Sequence, residues 1–152
     1  MKYIFTSLLL FIFVGTASAG KDPVFIGLDA EFGHKTSTSA QAVQKGMEIA
    51  IDEINRAGGV LGGRKLELVV TDNKSMPAFG VDNLKDLAAK KDLVGVFGAK
   101  FSPVVMEWVP VAQELGIPIF ATWSSANPIT DNVYKPSYVF RLSLKDAWAA
   151  PA

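Results

Sequence analysis

The stretch AQAVQKGMEIAIDEINRAGGVLGGRKLELVVT, Ala40 to Thr71, decides the fold. In its first half Ala40, Val43, Met47, Ala50, Ile51, Ile54 and Ala57 recur at helical spacing. Gln41, Gln44, Lys45, Glu48, Asp52 and Glu53 lie mostly opposite. The pattern predicts an amphipathic helix, with Ser39 standing where an N-cap belongs and Gly58-Gly59 stopping it. GGVLGGRK, Gly58 to Lys65, has the glycines of a phosphate cradle. A cradle needs a strand before it and a helix after it, however, and here the order is reversed, so helix termination and a turn is the better reading. Leu66 to Thr71 then reads as a strand running out into Asp72-Asn73, its Leu-Glu-Leu start suggesting a partly solvated face.

Working outward, the same alternation continues in both directions. Upstream, Pro23 to Leu28 reads as a buried strand, followed by the polar connection DAEFGHKTSTS, Asp29 to Ser39. Downstream, Pro77 suits the first turn of a second helix whose buried stripe is Phe79, Val81, Leu84, Leu87 and Ala88. Leu93 to Phe97 is a third strand. GAKFSP then turns the chain into a helix with Ser102 as N-cap, Pro103 at N1 and Val104, Val105, Trp108, Val109, Ala112 and Leu115 on its apolar side. Pro110 falls inside that helix and is expected to kink or restart it. Gly116 closes it, and Ile117 to Ala121 is a fourth strand leading into ATWSSANPIT, Ala121 to Thr130. Tyr138 to Leu142 reads as a fifth strand, and SLKDAWAAPA begins like a helix. Strand and helix in regular alternation predict an α/β fold, with βαβ units stacked into a parallel sheet.

Residues 1–19 read as a signal peptide rather than as part of the fold. Lys2 supplies the positive start, Tyr3 to Val14 the apolar run, and Ala17-Ser18-Ala19 the small-residue cleavage pattern. The chain has 15 Lys+Arg against 15 Asp+Glu, which gives no electrostatic reason to expect nucleic acid or an anionic membrane as partner. It has no Cys, so neither a disulfide nor a lipidated cysteine after the leader is available. The expectation is a protein free in the periplasm, without stable membrane insertion once the leader is removed; release from the cell is the alternative.

Residues suited to catalysis are few. His34 is the sole histidine, which excludes a cluster of histidine ligands for a metal. Ser102 lacks the flanking glycines of a nucleophile elbow, no G-x-G-x-x-G follows the first strand, and Asp29 and Glu31 read as solvated loop carboxylates rather than an acid/base pair. No cofactor is indicated. What stands out is a set of uncharged hydroxyls after three strands: Ser37, Thr38 and Ser39, then Ser102, then Thr122, Ser124 and Ser125. With the free amides at a helix start they suit a carboxylate held without an opposing charged side chain. ATWSSANPIT, at the carboxyl end of a parallel strand, is either part of a small-molecule crevice or a solvated connection, and Ser102 can serve as cap, as ligand contact or as both.

The order of these motifs resembles the amino-terminal lobe of type I periplasmic binding proteins, in the branched-chain amino-acid-binding (Leu/Ile/Val-binding protein-like) group that serves ABC transporters. IGLDAEFG, QKGMEIAIDEINRAGGVLGGRKLELVVTDN, GAKFS, GIPIFATWSSANPITD and YVFRLSLKDAWA carry the resemblance. It implies that residues 20–142 form the ligand-binding lobe and that 143–152 begin a crossover to a second lobe that this sequence does not contain. It also implies that Ser102 and Ser124-Ser125-Ala126 hold the ligand's α-carboxylate and α-amino groups. Ala126 replaces a hydroxyl that relatives often carry, Ser39 replaces an aromatic residue, and Trp123 is placed to supply ring surface instead. The resemblance implies solute capture without chemical change, for a membrane permease; a sensor lobe feeding a receptor kinase and a secreted flavodoxin-like or hydrolase-like enzyme domain are the alternatives.

Overall fold

A computed structural model describes residues 21–33 and 37–149. The leader and His34 lie outside these residues. The elements are β1 (Val24–Ala30), α1 (Thr38–Arg56), β2 (Leu66–Asp72), α2 (Pro77–Ala88), β3 (Leu93–Gly98), α3 (Ser102–Leu115), β4 (Ile119–Ala121), a 3-10 turn (Asn127–Ile129), β5 (Val139–Arg141) and α4 (Asp146–Ala149). The five strands form one sheet in the order β2-β1-β3-β4-β5, and every pairing is parallel. The α/β alternation expected from the sequence is therefore the observed architecture.

The turn between α1 and β2 shows why its residues are what they are. Gly58 and Gly59 have φ of 109° and 77°, and the Gly59 amide reaches back to the Ile54 carbonyl at 2.9 Å to close the helix. A side chain is strained at that φ, and a Cβ on Gly59 would also strike the Arg64 carbonyl. Asn55, in the last turn of α1, then ties helix to strand. Its Oδ1 accepts from the Leu66 amide at 2.8 Å and its Nδ2 donates to the Leu66 carbonyl at 2.9 Å. One side chain thus pairs both backbone groups of a buried residue at the start of β2.

Helices α2 and α3 pack on one face of the sheet over the larger core, which holds Leu84, Val96, Val104, Trp108, Ile119 and Ile129. Close approach of α3 depends on Gly98, where a Cβ would stand 2.8 Å from the Trp108 ring. Pro110 neither ends nor restarts α3, which is continuous from Ser102 to Leu115. Its ring lies on the exposed side, so the carbonyl it leaves unpaired faces away from the core. Phe79, expected in the buried stripe of α2, is instead largely exposed under Lys74.

On the other face, α1 covers mainly β1 and β2 around Leu28, Ala30, Ala40 and Ala99. Its apolar stripe is only half used: Ala40 is buried, whereas Ala50 and Ile54 are exposed. Beyond α1 this face carries Phe97, Phe120 and Phe140, which sit side by side in the strand register and stack at 4.8 and 5.4 Å. Between helix and rings runs an apolar groove of about 440 Å³, lined by Ile26, Val43, Met47, Ile51, Phe97 and Leu142 among others.

Asp29 near the end of β1 is buried, contrary to the expectation of a solvated loop carboxylate. It accepts from Thr71 Oγ1 (2.8 Å), Asn73 Nδ2 (2.8 Å) and Asn83 Nδ2 (2.7 Å), joining β1, the end of β2 and α2. Burial disfavours its charge, the three donors favour it, and nearby Glu31 adds repulsion. Burial wins, pushing the carboxyl from 3.8 up to about 6.

Two outcomes follow from these contacts. Asn55→Ala leaves both backbone groups of Leu66 without partners and is expected to cost about 1–3 kcal/mol, read from the urea midpoint. Because Asp29 binds its proton more tightly when folded, its contribution is complete below about pH 4 and is lost as pH rises through about 6, roughly 3 kcal/mol in all. The Asp29 carboxyl carbon should titrate near 6 by NMR, and Asp29→Asn should remove this descending component between pH 4 and 6; an Asp29 midpoint near 4 would refute the assignment.

Candidate functional site

In the order β2-β1-β3, the chain leaves β1 towards one side of the sheet and later continues towards the other, so the ends of β1 and β3 flank a topological switch point. Crevices at such points, outside the carboxyl ends of the strands, are where open α/β sheets bind ligands. The residues that follow β1 and β3 meet there. Glu31, just after β1, is 3% exposed, and its Oε1 accepts from the Phe101 amide at 2.8 Å. Glu31 Oε2 is buried and has no hydrogen-bond partner among the described residues. This corrects the reading of Glu31 as solvated. It also changes the electrostatics, since an acidic side chain already occupies the start of α3 where only uncharged hydroxyls were expected.

Ser102 is the first residue of α3 rather than its cap; Phe101 holds the cap position, and no side chain caps the helix. Ser102 Oγ is instead turned across to the loop after β4, where it accepts from the Ala126 amide at 3.3 Å. Ser39 is likewise displaced from its expected role. Helix α1 begins at Thr38 with Ser37 before it, and the hydroxyls of both Ser37 and Ser39 are buried without partners.

The loop after β4 uses its hydroxyls mainly to hold itself against β3. Thr122 Oγ1 donates to the Gly98 carbonyl at 2.7 Å, and the buried Ser124 donates from Oγ to the Ala99 carbonyl at 2.9 Å. Ser124 Oγ is therefore already engaged, and what this residue adds to the crevice is backbone. Arg141, at the end of β5, fixes the same loop from the other side. Its Nη1 and Nη2 donate to the Ser124 and Ala126 carbonyls, both at 2.6 Å, and its Nε to Thr130 Oγ1 at 3.3 Å. Ser143 Oγ adds a second bond to the Ser124 carbonyl, and the Asp146 amide takes the Ser125 carbonyl. With its carbonyls drawn towards Arg141 and α4, and the Thr122, Trp123, Ser124 and Ala126 amides bonded to Gly98, Ala99 and Ser102, the loop has the Ser125 N–H left to offer.

Trp123 is 56% exposed and, with Ser125, lines a hollow of about 330 Å³ closed by Ser143, Leu144 and Asp146. Its ring surface is thus open to solvent. The structure joins Ser102 to Ala126 by a hydrogen bond, holds Ser124 against Ala99 and Arg141, and places Trp123 and Ser125 at the hollow. Ser39 lies on the first turn of α1, the helix that follows β1. Sequence reasoning passed over Glu31 and Arg141. The available signal was a charged residue at the end of an otherwise apolar strand, which needs a polar partner if it is buried. Among the described residues no group of three or more His, Cys, Asp or Glu side chains could hold a metal ion.

A family model described as periplasmic binding protein matches residues 23–152. The Leu/Ile/Val-binding protein homolog 7 of Brucella suis biovar 1 (strain 1330) is 28% identical over 141 residues, covering 88% of this chain and 34% of its own. Among solved structures, the branched-chain amino acid transporter substrate binding protein LivJ from Streptococcus pneumoniae, in complex with isoleucine, superposes with a TM-score of 0.72 at 28% identity. That match covers 83% of this chain and 35% of LivJ. An ABC transporter substrate-binding protein from Desulfitobacterium hafniense, in complex with Leu, gives 0.73 at 28% identity over 84% and 36% of the two chains. The chain spans about a third of the length of these relatives. With a family match running the length of the sheet and its connections, the chain belongs to the periplasmic binding proteins.

Proposed function

We propose that this chain captures an amino acid, or a related small carboxylate or amide, at the carboxyl edge of its sheet, and does so without chemical change. The observation that carries the reading is the contact between Ser102 Oγ and the Ala126 amide, which brings the start of α3 and the loop after β4 to one place. Arg141 holds the loop's carbonyls away, so the Ser125 amide and the Ser102 hydroxyl, whose proton is not used by its bond from Ala126, act as donors to the ligand's carboxylate. Trp123 supplies an apolar surface for the side chain. Isoleucine and leucine in the related structures support an amino acid as ligand.

In its cellular setting the chain would work as the substrate-binding component of an ABC importer, delivering ligand to a membrane permease from the periplasm. The leader read at residues 1–19 supports export, and no helix among the described residues is long and apolar enough to cross a membrane. The second lobe implied by the resemblance would complete the site by closing onto this one.

Calorimetry and thermal-shift screening of the chain against leucine, isoleucine, valine, aromatic acids and small amides test the reading. A branched-chain amino acid is expected to bind, and Ser102→Ala should weaken it by about 1–3 kcal/mol without lowering the urea midpoint by as much. Failure of every carboxylate to bind, or an unchanged affinity in Ser102→Ala, would remove Ser102 and its loop from the site.

A further inference from the structure

At the carboxyl edge of the sheet nearly every acceptor has a protein donor. The Gly98 carbonyl takes Thr122, the Ala99 carbonyl takes the amides of Trp123 and Ser124 and the Ser124 hydroxyl, and the Ser124 and Ala126 carbonyls take Arg141. A carbonyl has two lone pairs, and several of these have both directions filled. A ligand that carries an ammonium or amide N–H therefore finds little acceptor capacity in the loop after β4. Glu31 is different. Its side chain is 97% buried at the switch point, Oε1 is held by the Phe101 amide next to Ser102, and Oε2 has no partner among the described residues. A buried carboxylate oxygen left unpaired is costly, so the site is incomplete without a donor.

We propose that Glu31 Oε2 is the acceptor for the ligand's ammonium or amide N–H, so that this lobe holds both polar ends of its ligand: the carboxylate by Ser102 and the Ser125 amide, the nitrogen by Glu31. The inference rests on the proposed binding of a small amino acid and adds the residue that selects for its nitrogen. The geometry favours a nitrogen donor beside an anion site, because Glu31 and Ser102 are linked through consecutive residues, Phe101 and Ser102, at the start of one helix. A carboxylate so close to the anion site also disfavours ligands with two acidic groups and no donor. Oε2 has no solvent contact in this structure, so a donor that engages it must shift the groups that cover it, and that shift is observable at the Phe101 amide.

The test is an NMR titration of the chain, labelled with 15N and with 13C at the glutamate carboxyls, using three probes: L-leucine, its deaminated analogue 4-methylpentanoate and its decarboxylated analogue 3-methylbutylamine. Leucine and the amine are expected to move the Glu31 carboxyl and Phe101 amide signals saturably, and the acid to move the Ser125 and Ala126 amides. In Glu31→Gln the affinity for leucine and amine should fall at least about tenfold while that for the acid is kept or improved. Should the acid bind at Ser125 and Ala126 while neither nitrogen-bearing probe touches Glu31, the assignment of Glu31 is overturned and the proposed binding site survives. If none of the three probes binds, both are overturned. The wild-type titration decides the point even if Glu31→Gln does not fold.

Discussion

A parallel sheet brings the ends of all its strands to one edge, and the backbone carbonyls there must find donors if the edge is not to be flooded with water. Much of this molecule can be understood from how that requirement is met. The Gly98 and Ala99 carbonyls at the end of β3 are taken by the loop after β4, whose own carbonyls are taken by Arg141 from β5, Ser143 and α4. Each strand end is thus closed by the next connection in the sheet. What remains after this pairing is the Ser125 amide, the Ser102 hydroxyl, which accepts from the Ala126 amide and keeps its own proton, and a carboxylate oxygen at Glu31.

A second polar device lies beside it. Asp29, with Thr71, Asn73 and Asn83, fastens the ends of β1 and β2 to α2 on the face where α2 and α3 pack. Two residues later on the same strand exit, Glu31 is joined to the cap of α3. The end of β1 therefore reaches two of the three long helices through two acidic side chains, one with all its oxygens engaged and one with an oxygen to spare. That difference separates the structural carboxylate from the proposed binding one.

The order of elements was legible because periodicity and glycine turns act within a few residues, and Gly58-Gly59, Pro77 and Gly116 did what their chemistry requires. Local rules were less informative about the caps. Ser39 and Ser102 both sit inside the helices they were expected to begin, because each helix starts a residue or so earlier and neither start needs a side-chain cap. The site was legible as a set of hydroxyl-rich connections and as an order of motifs shared with a family, but not as a division of labour. Ser124 and Ala99 are 25 residues apart, and Glu31 and Phe101 are 70 apart. Such partners are set by strand order, which also explains why Glu31 and Asp29 read as loop carboxylates until the sheet placed them indoors.

The bare half of the sheet has a consequence for affinity. Strands β4 and β5 are three residues each, and among the described residues no helix covers the face bearing Phe120 and Phe140 as α1 covers β1 and β2. Phe140 is 49% exposed. With ladders of three residues and one open face, this half should open by local fluctuation more readily than β1 and β3, with faster amide exchange. The loop of Trp123 to Ala126 and its anchor Arg141 both ride on it. Apparent affinity is intrinsic affinity reduced by the fraction of molecules in which those strands are docked. Anything that covers the phenylalanine row would tighten ligand binding from the opposite side of the sheet, without touching the crevice.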